Sequence, residues 1–334
     1  MNKKNVLVLG GGIAGISTSL ELDNLGYKVF LLEKETRLGG KVTDFCCKAT
    51  DKCALCGVCL ATEKLHEIQK NSKITIHTGA SLIDLKGSAM TFKSKIEVKG
   101  KIKELDISAV VIATGYKPFD ARQKGHLGYK RYENIISGLD LEEMLRNKPD
   151  FLASDDFQNI AFIQCVGSRD PHIGHNYCSK VCCKYGIRLA NRIKYRYPQK
   201  EITIYYMDIQ KDGKGFYDQY EKALQQIKFI NGIPVRVKIN SENNKKINII
   251  CEDISNNMMV QKNYDLVVLS IGMDNPVTDK GLDKFIGIER DDAGFFRTRQ
   301  EGIFLAGACQ GPKNIVESIA HGREAALRVA EALR

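Results

Sequence analysis

Four of the chain's eleven cysteines, Cys165, Cys178, Cys182 and Cys183, fall within one short stretch of sequence. Thiolates are the ligands of iron–sulfur clusters and of structural zinc, and four closing on one point would satisfy either. The apolar run Asn159-Ile160-Ala161-Phe162-Ile163 has the pattern of a buried strand leading into Cys165. A loop follows, and Ser179 to Arg196 has the pattern of a helix. Cys178 and Cys182 are then one helical turn apart on one face, with Cys183 beside them. His172 and His175 flank the loop, either as a spare ligand or as solvent-facing residues.

A second group of thiols lies earlier. Cys46-Cys47 is followed by Cys53-Ala54-Leu55-Cys56-Gly57-Val58-Cys59, a C-x2-C-x2-C spacing found in part of the ferredoxin cluster pattern, without its trailing Cys-Pro. Cys53, Cys56 and Cys59 are candidate ligands of a second cluster, with Cys46 or Cys47 as the fourth. A redox dithiol is the second reading, and a zinc-held or free-thiol structural loop the third. His66 is expected at the surface of a helix from Thr62 to Asn71. Cys251 is expected in a core strand, and Cys309 as a packing residue.

At 334 residues the chain can form two domains or one large one. Its apolar and charged fractions, 43% and 27%, are those of a soluble globular protein. No apolar run approaches the roughly 18 residues of a membrane span. The opening Met1-Asn2-Lys3-Lys4 and Val6-Leu7-Val8-Leu9 is too short for a signal peptide and flows into glycines, so a cytoplasmic protein is expected. There cysteines serve as ligands or redox groups more than as disulfides. The net charge of +10 is spread thinly. It reads first as a solvated lysine-rich surface; it favours an acidic partner surface or anionic substrate weakly and nucleic acid more weakly, for no aromatic and basic face is visible.

Asn5–Leu9, Gly10-Gly11-Gly12-Ile13-Ala14-Gly15, a helix Ile16–Leu25 closed by Gly26, and Lys28–Glu33 make a complete strand–turn–helix–strand unit. Gly10 permits the tight turn, Gly12 lets backbone approach a pyrophosphate, and Gly15 lets helix pack on strand. The helix start supplies N–H donors and a positive dipole to the phosphates. Glu33 is placed to accept from both ribose hydroxyls of an adenosine.

Lys34-Glu35-Thr36-Arg37-Leu38-Gly39-Gly40-Lys41 resembles the extended flavin motif of two-dinucleotide-binding-domain flavoproteins. Ser108-Ala109-Val110-Val111-Ile112-Ala113-Thr114-Gly115 resembles the strand of that superfamily ending in Ala-Thr-Gly. Ile303-Phe304-Leu305-Ala306-Gly307 resembles its last flavin strand, with Ala308 where an acid usually binds the ribityl hydroxyls. The resemblance implies FAD. It also implies backbone contacts to adenine from Ala80, and a helix from Ile315 after Lys313-Asn314 aimed at the isoalloxazine. The implied fold is α/β and thioredoxin-reductase-like: a Rossmann-type FAD domain with an inserted second α/β domain. The expected limits are an FAD-binding part over 1–118, a linker over 119–156, the inserted Rossmann-like domain with the cysteine motif over 157–272, and the FAD-binding return over 273–334. Residues 90–107 alternate like an antiparallel meander. A lysine-rich hairpin is expected from Val235 to Cys251. Gly213 and Gly215 are read as a turn, and no nicotinamide dinucleotide motif remains in the inserted domain.

Gln164-Cys165-Val166-Gly167-Ser168-Arg169-Asp170 with Tyr177-Cys178-Ser179-Lys180-Val181-Cys182-Cys183 resembles the signature of the heterodisulfide reductase A-subunit (HdrA) family. So do Tyr206-Met207-Asp208, Gly213-Lys214-Gly215, Leu269-Ser270-Ile271-Gly272-Met273 and Gly307–Lys313, so the resemblance runs through nearly the whole chain. It implies that Cys165, Cys178, Cys182 and Cys183 hold a [4Fe–4S] cluster near FAD. The chain lacks the extra ferredoxin-like segments of methanogen versions, and its early thiols depart from their pattern. It looks more like stand-alone subunits of heterodisulfide-reductase-like complexes in sulfur oxidisers, or related subunits in sulfate reducers. The implied function is electron relay between flavin, cluster and partner subunits in cytoplasmic sulfur or disulfide metabolism, with a homodimer also expected. Two alternatives stand beside it. One is a stand-alone NAD(P)H-dependent flavin-dithiol disulfide reductase, and the other a scaffolding flavoprotein whose thiols hold zinc. No Ser/His/Asp set or paired carboxylates suggest acid–base catalysis.

Overall fold

The computed structural model describes residues 4–211, 213, 215–240, 246–276 and 287–334. Met1 to Lys3, Lys214 of the Gly-Lys-Gly motif and the tip of the expected hairpin lie outside the described residues. The chain divides into two units. The first comprises Met1–Thr43, Gly57–Lys117 and Asn275–Arg334; the second comprises Asp44–Cys56 and Pro118–Asp274.

The first unit is built on a five-stranded sheet, in the order Ile303–Leu305, Ala109–Ile112, Asn5–Leu9, Lys28–Glu33 and Thr75–Thr78. All its pairings are parallel. Its strands are apolar almost throughout, as both-face burial of a parallel sheet requires. One face packs with helices Ile13–Asn24 and Ile315–Ala332 through Ile16, Leu20, Ala326 and Val329. The two helices touch closely because Gly322 has no Cβ: one there would lie 2.5 Å from the Ala14 carbonyl oxygen. Thr18 uses the approach, donating to the Gly322 carbonyl at 2.9 Å. The other face packs through Phe92, Ile96 and Ile107 with a meander of strands Ala80–Lys86, Phe92–Val98 and Lys101–Ile107, as the alternation predicts.

The second unit repeats this plan. Its five-stranded parallel sheet runs Lys228–Asn231, Glu201–Tyr206, Asn159–Val166, Leu266–Ile271, Ile135–Ser137. Helices Gly138–Asn147, Cys182–Arg196 and Phe216–Leu224 share one core with it, through Leu141, Ile187, Leu189 and Phe216. Strands Pro234–Ile239, Ile247–Asp253 and Met258–Tyr264 share the other, where the Tyr205 and Tyr264 hydroxyls meet at 2.8 Å. The stretch expected as a linker supplies the edge strand Ile135–Ser137 and a capped helix, with Ser137 and Asp140 forming a reciprocal capping box. Asp44–Cys56 groups with this unit, although it falls between two segments of the first. Among the described residues no helix is long and apolar enough to cross a membrane.

Helix limits differ from the expected ones at three starts. The first helix starts at Ile13, three residues earlier than expected, directly after Gly12, which is extended at ψ 179. The cysteine helix starts at Cys182 and not at Ser179, because Lys180 is left-handed at φ +60. Cys178 therefore sits on a turn ahead of the helix, which corrects the expected one-turn spacing with Cys182. The helix carrying His66 runs Val58–Lys70, which places Cys59 in its first turn.

Candidate functional site

The glycine turn of the first unit forms as its residue types require. Gly10 is left-handed at φ +106 and donates to the Leu32 carbonyl at 2.7 Å. A Cβ on Gly15 would lie 1.9 Å from the Gly10 oxygen, whereas one on Gly12 would meet nothing within 4 Å. Backbone is thus bare where a pyrophosphate would lie and packed where helix meets strand. Gly39 donates to Gly11 at 2.8 Å, and a Cβ on Gly40 would stand 3.1 Å from the Gly12 Cα, so the double glycine closes on the turn. Ala113 donates to Leu9 at 2.7 Å, holding Ala113-Thr114-Gly115 beside it. Lys41 stands over the Tyr116 ring at 5.1 Å.

Glu33 is buried at the end of its strand, and its two oxygens accept from the N–H groups of Gly11 (2.6 Å) and Glu35 (2.8 Å). It clamps the glycine turn, and a carboxylate retains further lone pairs for a ribose hydroxyl. Ala80 is buried at the start of its strand. Ala308 is buried beside Gly307, whose missing Cβ would press on Ala14 at 2.5 Å. Asn314 caps the Ile315–Ala332 helix, accepting from the Glu317 N–H at 2.9 Å. His321, which no sequence motif singles out, accepts from the Gly307 N–H at Nδ1 (2.8 Å). Burial and then the charge of Lys313 lower its pKa, so the imidazole is held neutral. The open turn, the N–H-rich helix start and the clamped acid fit FAD.

In the second unit the strand Asn159–Val166 loses register between Ile163 and Val166, where Cys165 adopts φ +59. A left-handed cysteine in a strand is strained, and the bulge turns its thiol out of the alternation. Gly167 follows at φ +80, with Phe119 so close that a Cβ would lie 2.0 Å from its ring. Ser168 and Ser179 hydroxyls meet at 2.6 Å, and Ser179 accepts from the Met273 N–H at 2.8 Å, which closes the loop between Cys165 and Cys178. The Cys178 sulfur accepts from the Lys180 N–H at 3.3 Å. Cys182 and Cys183 are buried, their sulfurs 3.6 and 3.8 Å from the carbonyls of Ile271 and Asp208. His172 is exposed, whereas His175 is tied by Nδ1 to the Gly167 carbonyl at 2.8 Å and by Nε2 near Asp274 at 3.4 Å.

The four thiols share one electrostatic neighbourhood. Burial first, then Cys165, Cys183 and Cys178, pushes the Cys182 pKa up. Burial and then Cys183 push Cys165 up to about 12, against the pull of Arg169. Among the described residues no group of three His, Cys, Asp or Glu side chains stands ready to hold a metal ion. The chemistry of the donor set nonetheless fits a cluster: four thiols, two of them buried and two half-buried, are the ligand type that iron and zinc bind as thiolates. Gln164, next to Cys165, adds a buried side-chain amide without a partner, as does the hydroxyl of Ser270.

The earlier cysteines divide. Cys46 is buried, its N–H donating to Glu142 at 2.8 Å and its sulfur 2.7 Å from Arg192. Glu142 also pairs with buried Lys48 at 2.5 Å. Burial, then Glu142, pushes the Cys46 thiol up to about 12. Cys53, Cys47 and Cys59 are exposed and Cys56 is half-buried. The segment Asp51–Cys56 lies on the two helices Cys182–Arg196 and Phe216–Leu224. Gln219 donates to the Ala54 carbonyl at 2.9 Å, Arg188 to the Leu55 carbonyl at 3.5 Å, and Lys222 pairs with Asp51 at 2.8 Å. Burial lowers the Arg188 pKa, and the sulfurs of Cys56 and Cys53 oppose that shift.

The sequence pattern of the pyridine nucleotide-disulphide oxidoreductase family matches residues 4–154. A CoB–CoM heterodisulfide reductase iron–sulfur A-subunit of Methanopyrus kandleri, the second of its two, is 31% identical, over 98% of this chain and 64% of its own. The H2:CoB–CoM heterodisulfide, ferredoxin reductase A-subunit of Methanothermobacter thermautotrophicus is 29% identical, over 97% of this chain and 63% of its own. The chain thus spans a little under two thirds of the length of these relatives. Lactococcus lactis thioredoxin reductase, in its FR conformation, superposes with a TM-score of 0.65 at 16% identity over 99% of both chains. The fold is the thioredoxin-reductase-like α/β fold expected from the sequence.

Proposed function

We propose that this chain, a relative of the heterodisulfide reductase A-subunit over nearly its whole length, is an oxidoreductase: the FAD- and iron–sulfur-containing electron-transfer subunit of a heterodisulfide-reductase-like complex. It would act in the cytoplasm, with other subunits of the complex as partners. When bound, FAD supplies one- and two-electron exchange and a [4Fe–4S] cluster supplies one-electron exchange, so the pair divides a two-electron event. Gly10, Gly12, Ile13, Ala14 and Gly15 would present bare backbone to the pyrophosphate. Glu33 would orient a ribose, and Gly40, Lys41 and Ala113 to Gly115 would line the dinucleotide. The helix starting at Ile315, capped by Asn314, would direct its positive end at charge building on the reduced ring. Cys165, Cys178, Cys182 and Cys183 would hold the cluster, with the charge of Arg169 beside them.

What supports this reading is the likeness to heterodisulfide reductase A-subunits over nearly the whole chain, together with Cys165 on a bulged strand, Cys178 on the loop after it, and buried Cys182 and Cys183 at a helix start. Anaerobic purification followed by iron, sulfide and flavin counts tests it. About four irons and one FAD per chain are expected, with Cys182→Ala losing the iron and keeping the flavin. Zinc in place of iron, or flavin bands alone, would overturn the cluster assignment. Bleaching of the flavin by NADH without any partner would support the stand-alone reductase instead.

A further inference from the structure

We propose that His321 is a positioning residue for the flavin: its neutral imidazole holds the last turn of the dinucleotide site, so acid weakens FAD binding through this one side chain. The inference rests on the FAD reading and is independent of the iron assignment. The short helical turn Gly307–Gln310 follows the sheet strand Ile303–Leu305 and leaves its first N–H groups without partners of its own. The Gly307 N–H finds one at Nδ1 of His321, 2.8 Å away on the helix Ile315–Ala332. Because Nδ1 accepts, the proton of the neutral ring sits on Nε2, and a second proton must go to Nδ1 and remove that acceptor.

The bond lies where the two flavin-binding ends of the first unit meet. A Cβ on Gly307 would press on the Ala14 side chain at 2.5 Å, and one on Gly322, the residue after His321, would lie 2.5 Å from the Ala14 carbonyl oxygen. Ala14 is second in the helix that opens at the glycine turn. Gly307 is left-handed at φ +75 and wedged against Ala14, so a Gly307 peptide that rotates to find another acceptor pushes on the pyrophosphate turn. The rest of the last turn is tied to the sheet: Ala306 donates to the Ile112 carbonyl at 2.8 Å, and the Cys309 sulfur lies 3.3 Å from the same oxygen. Of these three ties, the one at Gly307 is the one that a proton undoes in mild acid.

The charges around the ring set the direction. Burial first, then Lys313, holds the imidazole below its ordinary 6.5; Glu324 opposes that shift and Arg328 adds to it. Glu317, a turn earlier, is engaged with the Asn314 N–H at 2.8 Å, Glu21 on the helix Ile13–Asn24 with Arg323 at 3.0 Å, and buried Cys309 keeps its proton. Above pH 6.5 the ring is neutral with or without FAD, and affinity is flat. Bound FAD fixes the turn, so in acid the flavin-free protein takes up the proton more readily, and affinity falls as pH falls below 6.5.

The full chain with its FAD is equilibrated from about pH 7.5 to about pH 5, and released flavin is read by fluorescence after ultrafiltration. Wild type should bind FAD about tenfold more weakly at the acid end, the size of one lost buried hydrogen bond. His321→Asn puts an amide oxygen where Nδ1 stands and takes no proton there, so it should hold FAD at neutral pH with a flat profile. His321→Leu offers no acceptor and should bind about tenfold more weakly at every pH, with urea midpoints of the flavin-stripped proteins as the check on folding. The Asn variant decides the matter even where the Leu variant does not fold. A slope in His321→Asn equal to the wild type's overturns the proposal. So does a wild-type affinity that stays flat, or that rises in acid as a cation beside phosphates would make it. A chain without FAD at neutral pH sinks the FAD reading and this inference together, and that flavin count is a separate measurement from the slope.

Discussion

Arg169 and Asp208 form an ion pair at 2.5 Å, and the carbonyl of the same Asp208 faces the Cys183 sulfur at 3.8 Å. Arg169 feels the sulfurs of Cys165 and Cys178, and is itself left-handed at φ +57. One strained residue thereby sets a positive charge beside three of the four thiols.

A cation next to a cluster favours its reduced, more negative state. On the cluster proposed for this site, Arg169→Gln should therefore lower the potential, and Asp208→Asn should raise it. Arg169 is about one-third exposed, so the change should be a few tens of mV, the scale of about 1 kcal/mol. An EPR-monitored redox titration of the anaerobic protein reads this. Identical midpoints in both variants would show that the pair only braces the loop.

Glu142→Ala should destabilise the second unit by about 3–5 kcal/mol, because it strands the buried Lys48 ammonium and the Cys46 N–H. The double variant Lys48→Met with Glu142→Leu should recover most of that loss, since no uncompensated charge remains. Urea midpoints at neutral pH decide it. A near-native midpoint for Glu142→Ala would mean that water reaches Lys48 and the pair anchors nothing.

This pair also marks where sequence stops being informative. The glycine turn, the meander at 90–107 and the parallel sheet are legible because each is written in neighbouring residues. The shelter of Cys46 under Arg192 is not legible, because its partner is 146 residues away and neither residue carries a local pattern. Nor is the place of Asp44–Cys56 among residues of the second unit. The start of the cysteine helix differs from the expected one because nothing in the residue type of Lys180 announces a positive φ.

Gly12 and Gly15 should separate binding from folding. A Cβ on Gly12 meets nothing, and its φ of −74 suits alanine, so Gly12→Ala should leave the stability of the flavin-free protein unchanged. It should still lose FAD, because the methyl stands where backbone must approach phosphate. A Cβ on Gly15 would lie 1.9 Å from the Gly10 oxygen, so Gly15→Ala should lose both flavin and about 1–3 kcal/mol of stability. Flavin content and denaturation of the stripped proteins test the contrast. Full flavin occupancy in Gly12→Ala would place the pyrophosphate elsewhere.

Cys309 should give the first unit an alkaline weakness. It is fully buried, its sulfur lying 3.3 Å from the Ile112 carbonyl and 3.2 Å from that of Ala306. Burial pushes this thiol from 9.0 up to about 12, because an anion there would lose its water. The folded state keeps the proton that an unfolded chain gives up above pH 9. The stabilisation is therefore complete below pH 9 and falls as pH rises from 9 towards 12, by about 1.4 kcal/mol per pH unit. Cys309→Ala removes that contribution, so its urea midpoint should decline less steeply than the wild type's between pH 9 and 10.5. Lysines and tyrosines titrate alike in both proteins and cancel in the difference. Parallel declines would mean that the Cys309 sulfur reaches solvent in the folded state.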